Sequence, residues 1–298
     1  MPIEFSTGIR CEWEQGQPDG ISYSREKISL LPPSFTTLWI EDHLQRGTNA
    51  LLESWTTLSY FAAQFPRFTY GHLVECQSYR NPGLLAKMAA TLQYLTGGQF
   101  IMGLGAGWKE DEYRAYGYDF PSPGVRVAQL AETIELLRAM WRQSPATYTG
   151  QHYQVQQAYC EPRPDPMIPI LVGSAGKKAM EVAARLADAW TWSGPFEQRF
   201  KPLCEQLWRN CEAAGRDPRE ITIWCELAVD LPDDPGDFIP SGWDAVNNME
   251  EEYKLGPTPA DAIAQLRPYV EFGITHFIVH MNLPSLKRFC AEVVPAFA

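Results

Sequence analysis

The chain has 298 residues, 45% hydrophobic and 20% charged, so it can bury a sizeable core and does not read as disordered. A net charge of -11 argues against nucleic acid as the main partner and means that an anionic ligand needs a local positive site. Seven scattered cysteines without a CxxC pair suit a reducing compartment, and neither a leader nor an apolar run long enough to span a bilayer is evident, so a cytoplasmic protein with no membrane partner is expected.

Strand-like and helix-like segments alternate along the chain. "IEFSTGI" (3–9) reads as a first strand, followed by a polar, poorly patterned stretch to Pro33. "TTLWIE" (36–41) is a second strand that runs abruptly into Asp42 and His43. Apolar residues at helical spacing mark a helix over 50–64, and "RFTYGHLVEC" (67–76) is a third strand. The segment 81–98 is a helix with Pro82 in its first turn and a Gly97-Gly98 stop. "QFIMGLG" (99–105) is a fourth strand, and 127–141 is a strongly amphipathic helix.

An irregular insertion follows over 143–167, with a candidate hairpin around Gly150-Gln151. Beyond it come a strand (168–173), a helix opening on Lys177 and Lys178, a strand (188–194), a helix (196–215) and a strand (220–229). Residues 230–256 are acidic and loop-like; a helix (258–273), a strand (274–281) and a closing helix (284–297) complete the chain. Eight strands alternating with about eight helices is the count of a (β/α)8 TIM barrel, expected here as a single domain over 1–298, with a doubly wound sheet as the alternative.

In such barrels the active site lies at the C-terminal strand ends. Asp42 and His43 sit at one such end, as do residues 72–76, 105–108, 173–176, Trp192, Glu226 and His280. Asp42 and His43 are candidates for acid–base work or ring contact, against the plainer reading of a capping Asp beside a surface His. Gly103, Gly105 and Gly107 lack dinucleotide-fingerprint spacing and suit a tight turn or a ligand loop about equally. "VGSAGKK" (172–178) ends a strand in small residues and places two lysines in a first helical turn, where the dipole disfavours cations; a bound phosphate relieves that conflict. His276 and His280 share a strand face but lack a persuasive third metal ligand, so no metal is expected.

Several stretches together, "ESWTTLSYFAAQ", the block from Tyr79 to Arg126, "CEPRP", "IPILVGSAGKK" and "AARLADAW", resemble the bacterial luciferase-like superfamily of flavin-dependent oxidoreductases, and most of all its branch dependent on the 8-hydroxy-5-deazaflavin coenzyme F-420. The resemblance runs from about residue 36 to 280, and its most specific part is 81–126. It implies a (β/α)8 barrel moving hydride between the deazaflavin and a small organic substrate. It places Asp42 against the cofactor ring with His43 as a catalytic candidate, and His72, Leu73 and Val74 at a non-prolyl cis bulge behind the ring. It sets Gly107 and Trp108 beside the ring, and Gly173, Ser174, Ala175, Gly176 and Lys177 around the phosphate.

The departures are specific. Luciferase proper has histidine at the slot of Asp42, which removes the expectation of light emission. Relatives carry Thr or Ser at the slot of His72 and a small residue at that of Glu75. Trp108 stands where some deazaflavin dehydrogenases have a glutamate proton donor, so their sugar-phosphate chemistry is not expected. Three readings stay open: the deazaflavin oxidoreductase, an FMN-dependent monooxygenase fed by a flavin reductase, and a barrel that has lost flavin binding because His72 and Glu75 intrude on the ring face. A homodimer is expected in each.

Overall fold

The computed structural model describes residues 2–238 and 253–297. Most of the acidic stretch expected over 230–256 therefore lies outside the described residues.

Eight parallel strands form a closed cylinder: β1 (Glu4–Gly8), β2 (Phe35–Ile40), β3 (Thr69–His72), β4 (Phe100–Gly105), β5 (Ile170–Gly173), β6 (Ala189–Ser193), β7 (Thr222–Val229) and β8 (His276–His280). Each pairs with its sequence neighbours, and β1 closes the ring against β8 (Glu4 with His276, Phe5 with Phe277). Strands buried on both faces are mostly apolar, which is why "LWI" and "ILV" read as continuous runs.

Around the cylinder lie α1 (Gly20–Ser29), α2 (Ser54–Gln64), α3 (Pro82–Leu95), α4 (Pro123–Arg142), α5 (Lys177–Leu186), α6 (Lys201–Ala213), α7 (Pro259–Glu271) and α8 (Leu283–Arg288), with a short helix Glu110–Ala115 after β4. Local chemistry sets their ends. Asn81 accepts the amides of Gly83 and Leu84 ahead of Pro82, and Thr258 with Asp261 forms a reciprocal capping box on α7.

Two elements differ from the sequence reading. The stretch taken as unpatterned contains α1, whose buried face is Gly20, Ser24, Lys27 and Ile28. These fall at i, i+4, i+7 and i+8, but three of the four are not hydrophobic, so the stripe is invisible to an apolar-periodicity test. The second helix starts at Ser54 because the Glu53 side chain accepts the amides of Trp55 and Thr56, while Ala50–Leu51 pairs antiparallel with Glu12–Trp13. The insertion after β4 holds the expected hairpin, Ala146–Thr149 with Gln154–Ala158. Glu132 on α4 fastens its tip by accepting the amides of Gln151, His152 and Tyr153 at 2.8–3.0 Å.

The main core fills the layer between strands and helices. A second, smaller core plugs the lumen with Trp39, Leu171, Ala189, Trp224 and Ile278. Trp39 and Trp224 meet edge to face at 5.2 Å, and the Trp39 indole donates to Ser6 Oγ at 2.9 Å. Gly71 makes room for this plug: a Cβ there would stand 2.5 Å from the Trp39 ring. No described helix is long and apolar enough to cross a membrane.

Candidate active site

Three groups of polar side chains gather at the C-terminal strand ends. The first lies behind β2 and β3. Asp42 is buried, and its carboxylate is fully engaged: Ser54 Oγ donates at 2.6 Å, the Cys76 amide at 3.0 Å, and Arg80 at 2.9 and 3.1 Å. Arg80 also donates to Glu75 at 2.7 Å and Glu53 at 2.6 Å. Burial lowers the tendency of Arg80 to stay charged, but Glu75, Asp42 and Glu53 outweigh it and hold the guanidinium firmly protonated. Glu75 is pushed well above the usual carboxylate range by burial and then by the Asp42 charge, against the pull of Arg80.

His72 belongs to this group and is a correction to the sequence reading. As a strand residue its side chain alternates with that of Gly71, which faces the lumen tryptophan, so the imidazole leaves the barrel on the helix side. There it lies against Trp55 at 4.6 Å and Phe100 at 6.2 Å, fully buried, with Glu75 Oε2 at 3.6 Å. Burial pushes its pKa down to about 4, so it is neutral. His72 and Glu75 therefore do not intrude on the lumen mouth, and the ground for a barrel that has lost flavin binding falls away. The bulge itself stands at the expected place: the Leu73–Val74 peptide is cis, and Val74 packs under Gly105 and Gly173.

The second group lies outward of the first. His43 Nδ1 meets Glu112 Oε1 at 2.8 Å, its ring is edge-on to Trp108 at 6.0 Å, and Tyr79 donates to Glu112 Oε2 at 2.7 Å. Burial raises the Glu112 pKa, but hydrogen bonds from His43 and Tyr79 and the charges nearby outweigh it and leave it lowered. Gly107 has φ +80, and its missing side chain faces Tyr113, whose hydroxyl would stand 1.9 Å from a Cβ. The glycine is thus required by packing. Trp108 is half exposed.

The third group is the mouth itself. At the ends of β5 and β6, the Ser174 and Thr191 hydroxyls are buried without a hydrogen-bond partner among the described residues. Gly176 caps α5 with no side-chain acceptor, so the first amides of the helix are open, and space around Gly176 is free. Orphaned donors at an uncapped helix N-terminus fit a phosphate-bearing group. Across the mouth, a cavity of about 330 Å³ is lined by residues that include Arg10, Tyr23, Lys27, Trp39, Glu41, Leu73 and His280. His280 Nε2 meets Glu226 Oε1 at 2.9 Å. Glu41, not its neighbour Asp42, faces this cavity.

Sequence reasoning missed Arg80, Glu112, Arg10 and Lys27. Lys27 lies on the inward stripe of α1, which apolar periodicity does not reveal, and Arg80 had no signal beyond standing next to the Asn81 cap.

The fold and this mouth define a (β/α)8 barrel with a candidate ligand site at its C-terminal strand ends. The family model for luciferase-like monooxygenases matches residues 33–237, and the chain belongs to that family. It is 26% identical over 300 residues to an F420-dependent glucose-6-phosphate dehydrogenase of Kineococcus radiotolerans, covering 87% of this chain and 88% of that one. An F420-dependent secondary alcohol dehydrogenase in complex with an F420-acetone adduct shares the fold over 100% of both chains, with a TM-score of 0.82 and 18% identity. A long-chain alkane monooxygenase does so with a TM-score of 0.82 and 14% identity, over 99% of this chain and 91% of that one.

Proposed function

We propose that the protein transfers hydride between a deazaflavin of the F-420 type and a small organic substrate. The observation that carries this reading is the set of orphaned donors at β5 and β6 beside the uncapped N-terminus of α5. Ser174, the open amides of residues 177–179 and Lys177 would hold the cofactor phosphate, and Gly176 would let it approach the backbone. The lumen face of Leu73 and Val74 would support the ring, with His43 and Trp108 at its rim. When bound, a deazaflavin supplies hydride exchange at its C5, and the protein contributes orientation and electrostatics. Asp42 acts in this reading by holding Arg80, Ser54 and the Cys76 amide in place beneath the site.

The named dehydrogenase relatives favour the deazaflavin over FMN. Their sugar-phosphate substrate is not carried over, because Trp108 occupies the position at which the resemblance expects a glutamate proton donor. A homodimer is part of the proposal, and light scattering checks it.

Titration of the purified chain with a deazaflavin and with FMN tests the reading. Deazaflavin should bind and be reduced by substrate. Tight FMN binding without deazaflavin binding would move the protein to the reductase-fed monooxygenases. Gly176→Asp should weaken cofactor binding by ~10²-fold, because a carboxylate would oppose the phosphate; an unchanged dissociation constant would place the phosphate elsewhere.

A further inference from the structure

Two cations at the mouth have no carboxylate of their own among the described residues. Lys27 is 6% exposed and reaches the cavity from the inner face of α1. Its ammonium donates to the Gly8 carbonyl at 3.1 Å, which occupies one of three N–H groups. Arg10, just beyond β1, donates to the Glu12 carbonyl and to Gln17, and its guanidinium lies 4.9 Å from the Tyr23 ring. Neither cation forms a salt bridge with a described carboxylate. The described carboxylates nearest them are taken: Glu41 pairs with Arg46, and Glu226 with His280.

In a chain of net charge -11, two unneutralised cations on one cavity are unexpected, and a buried ammonium without a counter-charge is costly. The arrangement suits a ligand that brings its own negative charge. We propose that Lys27 and Arg10 form a subsite for the oxyanion end, carboxylate or phosphate, of the substrate. Trp39 and Leu73 line the same cavity as these cations. A small molecule anchored at Lys27 would present its other end at the Leu73–Val74 bulge. That orientation rests on the hydride-transfer reading above; the binding of the anion does not.

Burial pushes the Lys27 pKa down to about 8. The groups facing it are the Gly8 carbonyl from β1, Arg10 just beyond that strand, Tyr23 on its own helix, Glu41 after β2, and His280 with Glu226 from β8 and β7. An arriving anion favours the charged amine, so binding at about pH 8.5 should draw in a proton.

The test is calorimetric titration of the cofactor-free protein with butyrate and, separately, with inorganic phosphate, in two buffers of different ionisation heat. At least one anion should saturate, with proton uptake, and which one does so separates a carboxylate from a phosphate substrate. Lys27→Met and Arg10→Gln should each weaken binding about 10-fold or more, and Lys27→Arg should keep binding while losing the proton uptake. Circular dichroism checks folding, and Arg10→Gln, a change at a partly exposed position, decides the matter if Lys27→Met does not fold. Absence of saturation by either anion, or wild-type affinity in both neutral variants, overturns the subsite. Deazaflavin titration of the same proteins keeps the two proposals apart: a wild-type chain that binds butyrate or phosphate but no flavin refutes hydride transfer and leaves the subsite standing.

Discussion

The ends of β2 and β3 and the ends of β8 and β1 are both crowded with ionisable side chains, yet they are built in opposite ways. Behind β2 and β3, Asp42, Glu75, Glu53 and Arg80 satisfy one another, and the carboxylate of Asp42 accepts from three different residues. At the mouth between β8 and β1, Lys27 and Arg10 face a cavity with donor capacity to spare. A buried charge whose every lone pair is occupied holds a fold together. A buried charge with open valences waits for something else. The distinction lies in saturation, not in residue type.

The largest effect should come from taking the cation out of the closed cluster. Arg80→Met leaves Asp42 and Glu75 buried together without a counter-charge and should cost about 3–5 kcal/mol in urea unfolding. A loss near zero would mean that the cluster is solvated and that the contrast with the mouth is false. Next is His72, whose folded pKa of about 4 lies below its unfolded value near 6.5. As pH falls through that window the unfolded chain takes up a proton that the native state refuses, so stability is lost, by roughly 3 kcal/mol at full extent. His72→Phe should flatten the stability profile between pH 6.5 and 4; an unchanged slope would assign it to other groups.

Asp42→Asn comes third. It should lower stability by about 2 kcal/mol and leave turnover per folded molecule close to wild type. A fall of ~10²-fold in single-turnover hydride transfer by a fully folded variant would return Asp42 to the chemistry. The smallest effect belongs to the mouth. Burial pulls the His280 pKa down, but the hydrogen bond and charge of Glu226 outweigh it and leave it raised. The stabilisation is therefore complete below the unfolded pKa and disappears as pH rises through the folded one. Glu226→Gln should remove less than about 1 kcal/mol, seen as a lower melting temperature at pH 6 but not at pH 8. A larger loss would make this pair as structural as the closed cluster.

The barrel strands were legible because most carry a short run of apolar and β-branched residues between helical segments. The α1 helix was not, because it turns Gly20, Ser24 and Lys27 inward. The start of α2 was read four residues early, since apolar spacing runs back through Ala50 to Leu52, ahead of the Glu53 cap on the amides of Trp55 and Thr56. Within the site, the sequence could place Asp42, His72 and His280 at strand ends but not tell which way each side chain leaves its strand. One residue of alternation sends His72 behind the barrel. It also could not reveal that Arg80, 38 positions from Asp42, completes that cluster, because only the closed ring of strands brings them together.

The tryptophan plug in the lumen makes the barrel a blind well. Trp39, Trp224 and their neighbours fill the shaft, and Gly71 is cut away to admit them. Traffic through the axis is closed, so whatever occupies the floor of the mouth must leave by the door through which it came. Occupancy then becomes a matter of order: a spent ligand lying nearer the opening blocks the release of anything deeper and the entry of its replacement.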